Sequence, residues 1–448
     1  MKNFFSNSYK NLFLGRMFFA GIGISSCLFL FSFFLTWMGD LPFVFFGLLV
    51  ILVFVDFVLI YGQKKGVFAS RSLPERLSNG DDNEVKLYLE SFYSFPTRIG
   101  LIDEIPFQFQ KRDLWFKSEL RAREQKTIHY NLRPTKRGEY AFGQIRLYVR
   151  SPLGLIIRRF NLGTPVTVPV YPSFLQLRRY ELMAISNRLT EIGIKKVRRL
   201  GHSMEFDQVK NYVQGDDYRT VNWKATARKG DLMVNSFTDE KAQNVYCIID
   251  KSRAMKLPFE GLTLLDYAIN ASLILSSVAL VKEDKAGLMT IAEKVGSIVQ
   301  AERRPTQLGK IMEVLYKEKT RYLETNMEAL YLSVRSVLKQ RSLIVFFTNF
   351  ESMSALNRQL PFLKRMAKFH LLLIVFFENT GLKSLTDQPV TDVEGIYIKT
   401  IAEKFVYEKK LMVKELAKHG ILSILTPPEK LSINVVNKYL AIKAQQKI

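Results

Sequence analysis

A chain of 448 residues exceeds one ordinary domain, so two or three units are expected, with enough apolar content for full cores. A formal net charge of +23 disfavours basic partners and favours anionic lipid, nucleic acid or an acidic protein. Cys27 and Cys247 are its two cysteines, one in an apolar run and one in a strand pattern, which excludes a disulfide framework and reads as a cytosolic soluble part.

In chain order, Met17 to Met38 is an apolar run interrupted only by small and hydroxyl residues, and Leu41 to Tyr61 is a second. Each is long enough to cross a hydrocarbon layer about 30 Å thick as a helix. Gly39, Asp40 and Pro42 make the connection a tight turn. Lys2, Lys10 and Arg16 precede the pair and Lys64, Lys65 and Arg71 follow it, so both ends, and everything after Tyr61, are expected on the cytoplasmic side. A cleaved signal peptide would leave the second run unexplained. Ile24 to Cys27 resembles a lipoprotein cleavage box, but the residues after it stay apolar. Asp56 is the one charge inside the second run, a place where charge suggests function by default. No basic residue stands in either run to pair with it, and near the cytoplasmic end a water-reached carboxylate is expected.

Residues 1–65 thus read as a membrane-spanning hairpin. From 66 to 172 short alternating runs lie between Gly and Pro turn signals: Val85 to Leu89, Thr127 to Leu132, Glu139 to Val149 and Val166 to Tyr171. This spacing predicts an antiparallel β-sandwich, Ig-like in size, of a kind that binds or spaces. Residues 173–240 begin with a helix over Phe174 to Ile192. The basic cluster Lys195, Lys196, Arg198 and Arg199 follows, readable as a solvated loop or as a segment drawn to anionic headgroups. No interleaved aromatics accompany the cluster, so nucleic-acid binding is not expected.

From 241 to 448 helix and strand patterns alternate. Strands are expected at Asn244 to Asp250, Lys285 to Ala292, Leu343 to Thr348, Leu371 to Phe377 and Ile421 to Leu425. Helices are expected over Leu262 to Val281, Gln307 to Tyr316, Met327 to Leu338, Ala355 to Phe369, Thr391 to His419 and after Pro428. Apolar strands separated by helices mean a mostly parallel sheet covered on both faces.

The richest stretch is Gly201 to Met255. Its residues Gly201, Glu205, Phe206, Tyr212, Gly215, Asp216, Asp217, Arg219, Trp223, Lys224, Ala227, Arg228 and Leu232, followed by the strand ending at Asp250 and by Ser252 and Met255, resemble the bacterial "domain of unknown function 58" family. The resemblance implies two membrane helices in the bacterial inner membrane, a β-sandwich and a von Willebrand factor A-like α/β domain, with 173–240 packed on that domain. It also implies association with a MoxR-type AAA+ ATPase. Read from the residues alone, Gly215, Asp216 and Asp217 form a turn whose carboxylates suit bidentate pairing with Arg219 or Arg228, with Trp223 as a buried anchor. That is a structural lid more than a catalytic pair, because no nucleophile accompanies the carboxylates.

The A-like resemblance also implies a divalent-cation site built from an Asp-x-Ser-x-Ser loop, a Thr and an Asp. Here Asp250 and Ser252 match, the second Ser is Ala254, Thr325 matches the second loop, and Asn349 replaces the Asp of the third, with Glu351 beyond it. Mg²⁺ favours oxygen ligands with charge. A site short of one hydroxyl and one carboxylate is expected to bind a cation weakly or not at all. His129, His202, His370 and His419 lack metal-ligand spacing, and no phosphate-cradling glycine loop is present. The expectation is a non-enzymatic membrane-anchored scaffold or adaptor that presents the top of its α/β sheet to a protein partner. A metal-dependent enzyme at the membrane surface and a basic nucleic-acid binder are the alternatives.

Overall fold

The computed structural model describes residues 11–35, 37, 39–63, 65–111, 114–178, 204–214, 216, 218–239, 242–320, 323–387 and 392–445. Lys2, Lys10, Lys64, the basic cluster at 195–199, most of the helix expected over 174–192, and Gly201, His202, Gly215 and Asp217 lie outside these residues. The chain divides into two compact units, Met1–Tyr171 and Pro172–Ile448.

In the first unit a short strand β1 (Leu12–Leu14) runs through Gly15 into α1 (Arg16–Phe34), which a turn joins to α2 (Leu41–Tyr61). Both helices are long and apolar enough to cross a membrane, and their side chains are largely exposed. Gly21 lets them approach, since a Cβ there would stand 2.8 Å from Leu49 Cδ1. Strands β2 (Val67–Ser72), β3 (Leu77–Ser78), β4 (Asn83–Ser91), β5 (Thr97–Asp103), β6 (Trp115–Leu120), β7 (Gln125–Leu132), β8 (Gly138–Phe142), β9 (Ile145–Arg150), β10 (Ile156–Leu162) and β11 (Val166–Tyr171) follow. They form sheets β1-β10-β9-β5-β6, β2-β4-β7 and β3-β11-β8. Along β4 every second residue is buried, the period of a half-covered strand, and Leu87 and Leu89 meet Ile99, Leu101, Leu147 and Val149 in the core.

Asp56 departs from expectation. It is fully buried, and its Oδ2 accepts from the backbone N–H groups of Leu155 (2.9 Å) and Ile156 (2.8 Å). The partners the sequence could not show are main-chain donors about a hundred residues away.

In the second unit, β12 (Met204–Asn211) and β13 (Met233–Asp239) pair as an antiparallel hairpin around α3 (Trp223–Lys229). Then come β14 (Asn244–Asp250), α4 (Leu264–Val281), β15 (Lys285–Ile291), β16 (Val295–Glu302), α5 (Gln307–Lys317), α6 (Met327–Val337), β17 (Leu343–Phe347), α7 (Met353–Phe369), β18 (Leu371–Phe377), α8 (Thr380–Asp387), α9 (Val393–Lys418), β19 (Leu422–Thr426) and α10 (Leu431–Ala444). The sheet runs β16-β15-β14-β17-β18-β19, parallel except for the edge strand β16. Alternation sorts each inner strand between two cores: Val245, Cys247 and Ile249 of β14 face one, Tyr246 and Ile248 the other. Helices α4, α5 and α10 contribute to the first core; α6, α7 and α9 contribute to the second. Gly287 is required where the Tyr246 ring crosses β15, because a Cβ would come within 2.5 Å of it. Helix α4 is also apolar enough to span a membrane, but 83% of it is buried, packed on this sheet.

Candidate functional site

The chain leaves β14 for β15 on one side and later returns to β17 on the other, so the carboxyl ends of β14 and β17 bound the crevice where open α/β sheets place ligands. Asp250 ends β14 and is 2% exposed. Its Oδ1 accepts from Ser252 N–H (2.8 Å) and the Thr325 hydroxyl (2.6 Å), and its Oδ2 accepts from the Thr348 hydroxyl (2.7 Å). The loop bearing Thr325 is tied down by Asn326, which donates its N–H to Ala292 C=O and caps α6 through Ala329 N–H. The structure therefore brings Asp250, Ser252 and Thr325 together and adds Thr348, which the sequence reading treated only as the end of a strand. Burial pushes the Asp250 carboxyl above its usual range, against the hydroxyl and amide donors that hold it down.

Asn349 stands apart from this cluster. Its Nδ2 donates to Ala254 C=O (3.4 Å), and its Oδ1 accepts from Lys409 Nζ (2.8 Å). Lys409 reaches in from α9, also donates to Phe350 C=O, and lies 5.7 Å from the centre of the Phe376 ring. Burial draws its pKa down to about 8, while Glu351 pulls it back up. Lys409 was missed in the sequence, although one signal pointed to it: it falls midway between Ala402 and Leu416 at heptad spacing, on the buried stripe of the helix.

Above these groups opens a cleft of about 340 Å³ bordered by Arg253, Asn349, Glu351, Glu378, Phe405 and Lys409. On its rim Arg253 lies 3.5 Å from Glu324 and 3.9 Å from Glu351, exposed pairs that contribute little stability. At the floor of the cleft Asp250 is already engaged by hydroxyls and the Asn349 amide oxygen is held by an ammonium, while the carboxylates of Glu351 and Glu378 stand on the border.

The signature stretch sits in the β12–β13 hairpin. Glu205 occupies β12 opposite Thr238. Asp216 accepts from Lys210 Nζ (3.0 Å) and Val213 N–H (3.0 Å), and Lys210 holds its carboxyl below the usual range. Its partner is thus a lysine on the adjoining strand, where Arg219 or Arg228 was expected. Arg219 lies over the Tyr218 ring. Trp223 corrects the expectation of a buried anchor: it is 71% exposed in the first turn of α3, a helix that also exposes Lys224 and Arg228, and Tyr212 is exposed as well. Asn222 supplies the anchoring instead, capping α3 at Ala225 N–H (3.0 Å) and donating to Asn235 (2.8 Å).

Residues 208–379 match the family described as "Protein of unknown function DUF58". "Uncharacterized protein YeaD" of Bacillus subtilis (strain 168) is 30% identical over 139 residues, 31% of this chain and 32% of that protein, so the match spans about a third of the relative's length. Among solved structures, the conserved hypothetical protein BatB from Bacteroides thetaiotaomicron is 15% identical with a TM-score of 0.30, covering 46% of this chain and 100% of that one. The CARDB domain of the PF1109 protein from Pyrococcus furiosus is 13% identical with a TM-score of 0.17, covering 23% and 91%.

Proposed function

Because the chain belongs to the DUF58 family through residues 208–379, we propose that it is a membrane-anchored, non-enzymatic adaptor whose α/β unit, von Willebrand factor A-like in type, receives a cytoplasmic protein partner at the carboxyl ends of its sheet. The candidate partner is a MoxR-type AAA+ ATPase. In this reading α1 and α2 span the inner membrane with both chain termini cytoplasmic.

One observation carries the reading. The first half of α9 exposes Val393, Tyr397, Ile401 and Phe405 at four-residue spacing, 38% to 85% exposed, and the stripe ends at Phe405 on the border of the cleft. A contiguous apolar strip beside a polar crevice is the pattern of a protein-binding surface. The Asp250 cluster favours binding over chemistry, since its carboxylate is engaged by hydroxyl donors and not by a base. Affinity purification of the full chain from detergent-solubilised membranes should recover the ATPase, and Ile401→Asp with Phe405→Asp should lose it. Recovery unchanged by that pair of substitutions would refute the assignment of the surface.

A further inference from the structure

The first unit holds its sandwich at a fixed level against the helical pair, and Leu155 sets that level. Its C=O accepts from Gly15 N–H (2.8 Å), the residue before α1, and its N–H donates to Asp56 (2.9 Å). A Cβ on Gly15 would stand 2.1 Å from Gly154 O, so only glycine permits this approach. To one side of this level lie exposed apolar side chains of both helices, among them Met17, Phe19, Ile51 and Phe54. To the other, the last turn of α2 is drawn into the sandwich, where Ile60 and Tyr61 pack on Ile156. Arg158 Nη1 donates to Ile60 C=O (2.9 Å) and Gln63 C=O (3.0 Å), and the Tyr93 hydroxyl also donates to Ile60 C=O (2.8 Å).

The register places several arginines at this same end. Arg98 of β5 faces Arg150 of β9, and Thr97 faces Leu120, which puts the turn bearing Arg121 and Arg123 beside them. Arg98 is engaged by Glu119 (3.0 Å), and Glu124 is turned onto the Arg121 backbone N–H (2.5 Å). Among the described residues Arg16, Arg121, Arg123 and Arg150 have no acidic partner. The turn before Leu155 adds Leu153, an exposed apolar side chain.

We propose that this rim of the sandwich lies in the headgroup layer and binds anionic phospholipid through Arg16, Arg121, Arg123 and Arg150, with Leu153 entering the acyl boundary. The inference is independent of the partner-binding role and rests on insertion of the helical pair. Guanidinium groups suit bidentate pairing with phosphate, and a basic residue at an anionic surface is worth roughly fivefold in binding.

The test uses the full chain in nanodiscs of phosphatidylcholine with or without phosphatidylglycerol. Nitroxide labels are placed at Leu153→Cys or Phe46→Cys in a Cys27→Ser background. Phe46 should report hydrocarbon depth and Leu153 headgroup depth, and the protein should retain phosphatidylglycerol over phosphatidylcholine. Arg121→Gln with Arg123→Gln and Arg150→Gln should lower that retention by roughly fivefold per arginine, whereas Arg133→Gln, at the far end of the sandwich, should leave it unchanged. Equal retention of both lipids with Phe46 in hydrocarbon, or retention unmoved by the triple substitution, overturns the lipid proposal alone. A water-exposed Phe46 label overturns insertion and the proposal with it.

Discussion

Lys409 offers the sharpest quantitative test, because folding moves its pKa from 10.5 to about 8. Between those values the unfolded chain binds a proton that the folded one has released, so stability rises with pH across the window and is flat below it. The gap corresponds to at most about 3 kcal/mol, and roughly half that once water at the open side of the cleft screens the ammonium. Lys409→Met removes the charge but strands Asn349 Oδ1 and Phe350 C=O, each at a cost of about 1–3 kcal/mol, so a single measurement at neutral pH mixes a gain with a larger loss. The informative quantity is therefore the slope. Chemical denaturation of the full chain in detergent, from neutrality to above pH 10, should show the wild type gaining stability over Lys409→Met as the pH climbs. Lys409→Arg, charged throughout, should gain nothing. Parallel curves for wild type and Lys409→Met would refute the buried-ammonium reasoning.

Asp250, Asp56 and Trp223 each give further tests. Asp250→Ala leaves the Thr325 and Thr348 hydroxyls without their acceptor and should cost roughly 2–4 kcal/mol by thermal unfolding. Because the folded-state pKa of Asp250 is raised, the wild type should also lose stability relative to Asp250→Asn as pH rises through that value; a flat difference would contradict it. Asp56 uses one oxygen for both backbone donors while Oδ1 has no partner among the described residues, so Asp56→Asn should be tolerated and Asp56→Leu should lose about 2–4 kcal/mol in detergent melts. Equal melting temperatures for the two would count against the contact. Trp223→Ser should change stability by less than about 0.5 kcal/mol, as befits an exposed side chain, and a large drop would restore the anchor reading.

Where a pattern reflects burial on both faces, the sequence was readable. Asn244–Asp250, Leu343–Phe347 and Leu371–Phe377 are apolar runs because each sends alternate residues into two cores. Strand β16 was missed: it is an edge strand, its VGSIVQAE alternates only weakly in sequence, and its positions alternate between half-buried and exposed with none fully buried. The helix expected from Thr391 begins at Val393, with an unforeseen α8 before it. Three residues of β1 are too few to carry a period, and pairing with β10 supplies what local sequence does not. Trp223 was misread because a large aromatic is buried by default, whereas local capping by Asn222 already fixes the turn. The Asp56 and Lys409 contacts depend on long-range main-chain and side-chain partners, which no local spacing encodes.

Charge accounting at the top of the sheet leads to one more prediction. Relative to the A-like pattern implied by the family resemblance, Asn349 removes one negative charge and Lys409 adds one positive charge, a change of +1 and +1, or +2 in all. That is the charge a divalent ion would bring, and it sits at the oxygen such an ion would need. A cation entering the wild-type site would face the ammonium directly, and repulsion at hydrogen-bond range in a half-buried cleft amounts to several kcal/mol. Calorimetric titration of the full chain with Mg²⁺ or Mn²⁺ should therefore give no binding heat at millimolar cation. Asn349→Asp with Lys409→Met restores the carboxylate and clears the ammonium, leaving Asp250, Ser252 and Thr325 in place, and should create a measurable cation site. Tight Mg²⁺ binding by the wild type would mean that Lys409 yields its place, and the idea of a built-in cation would fall.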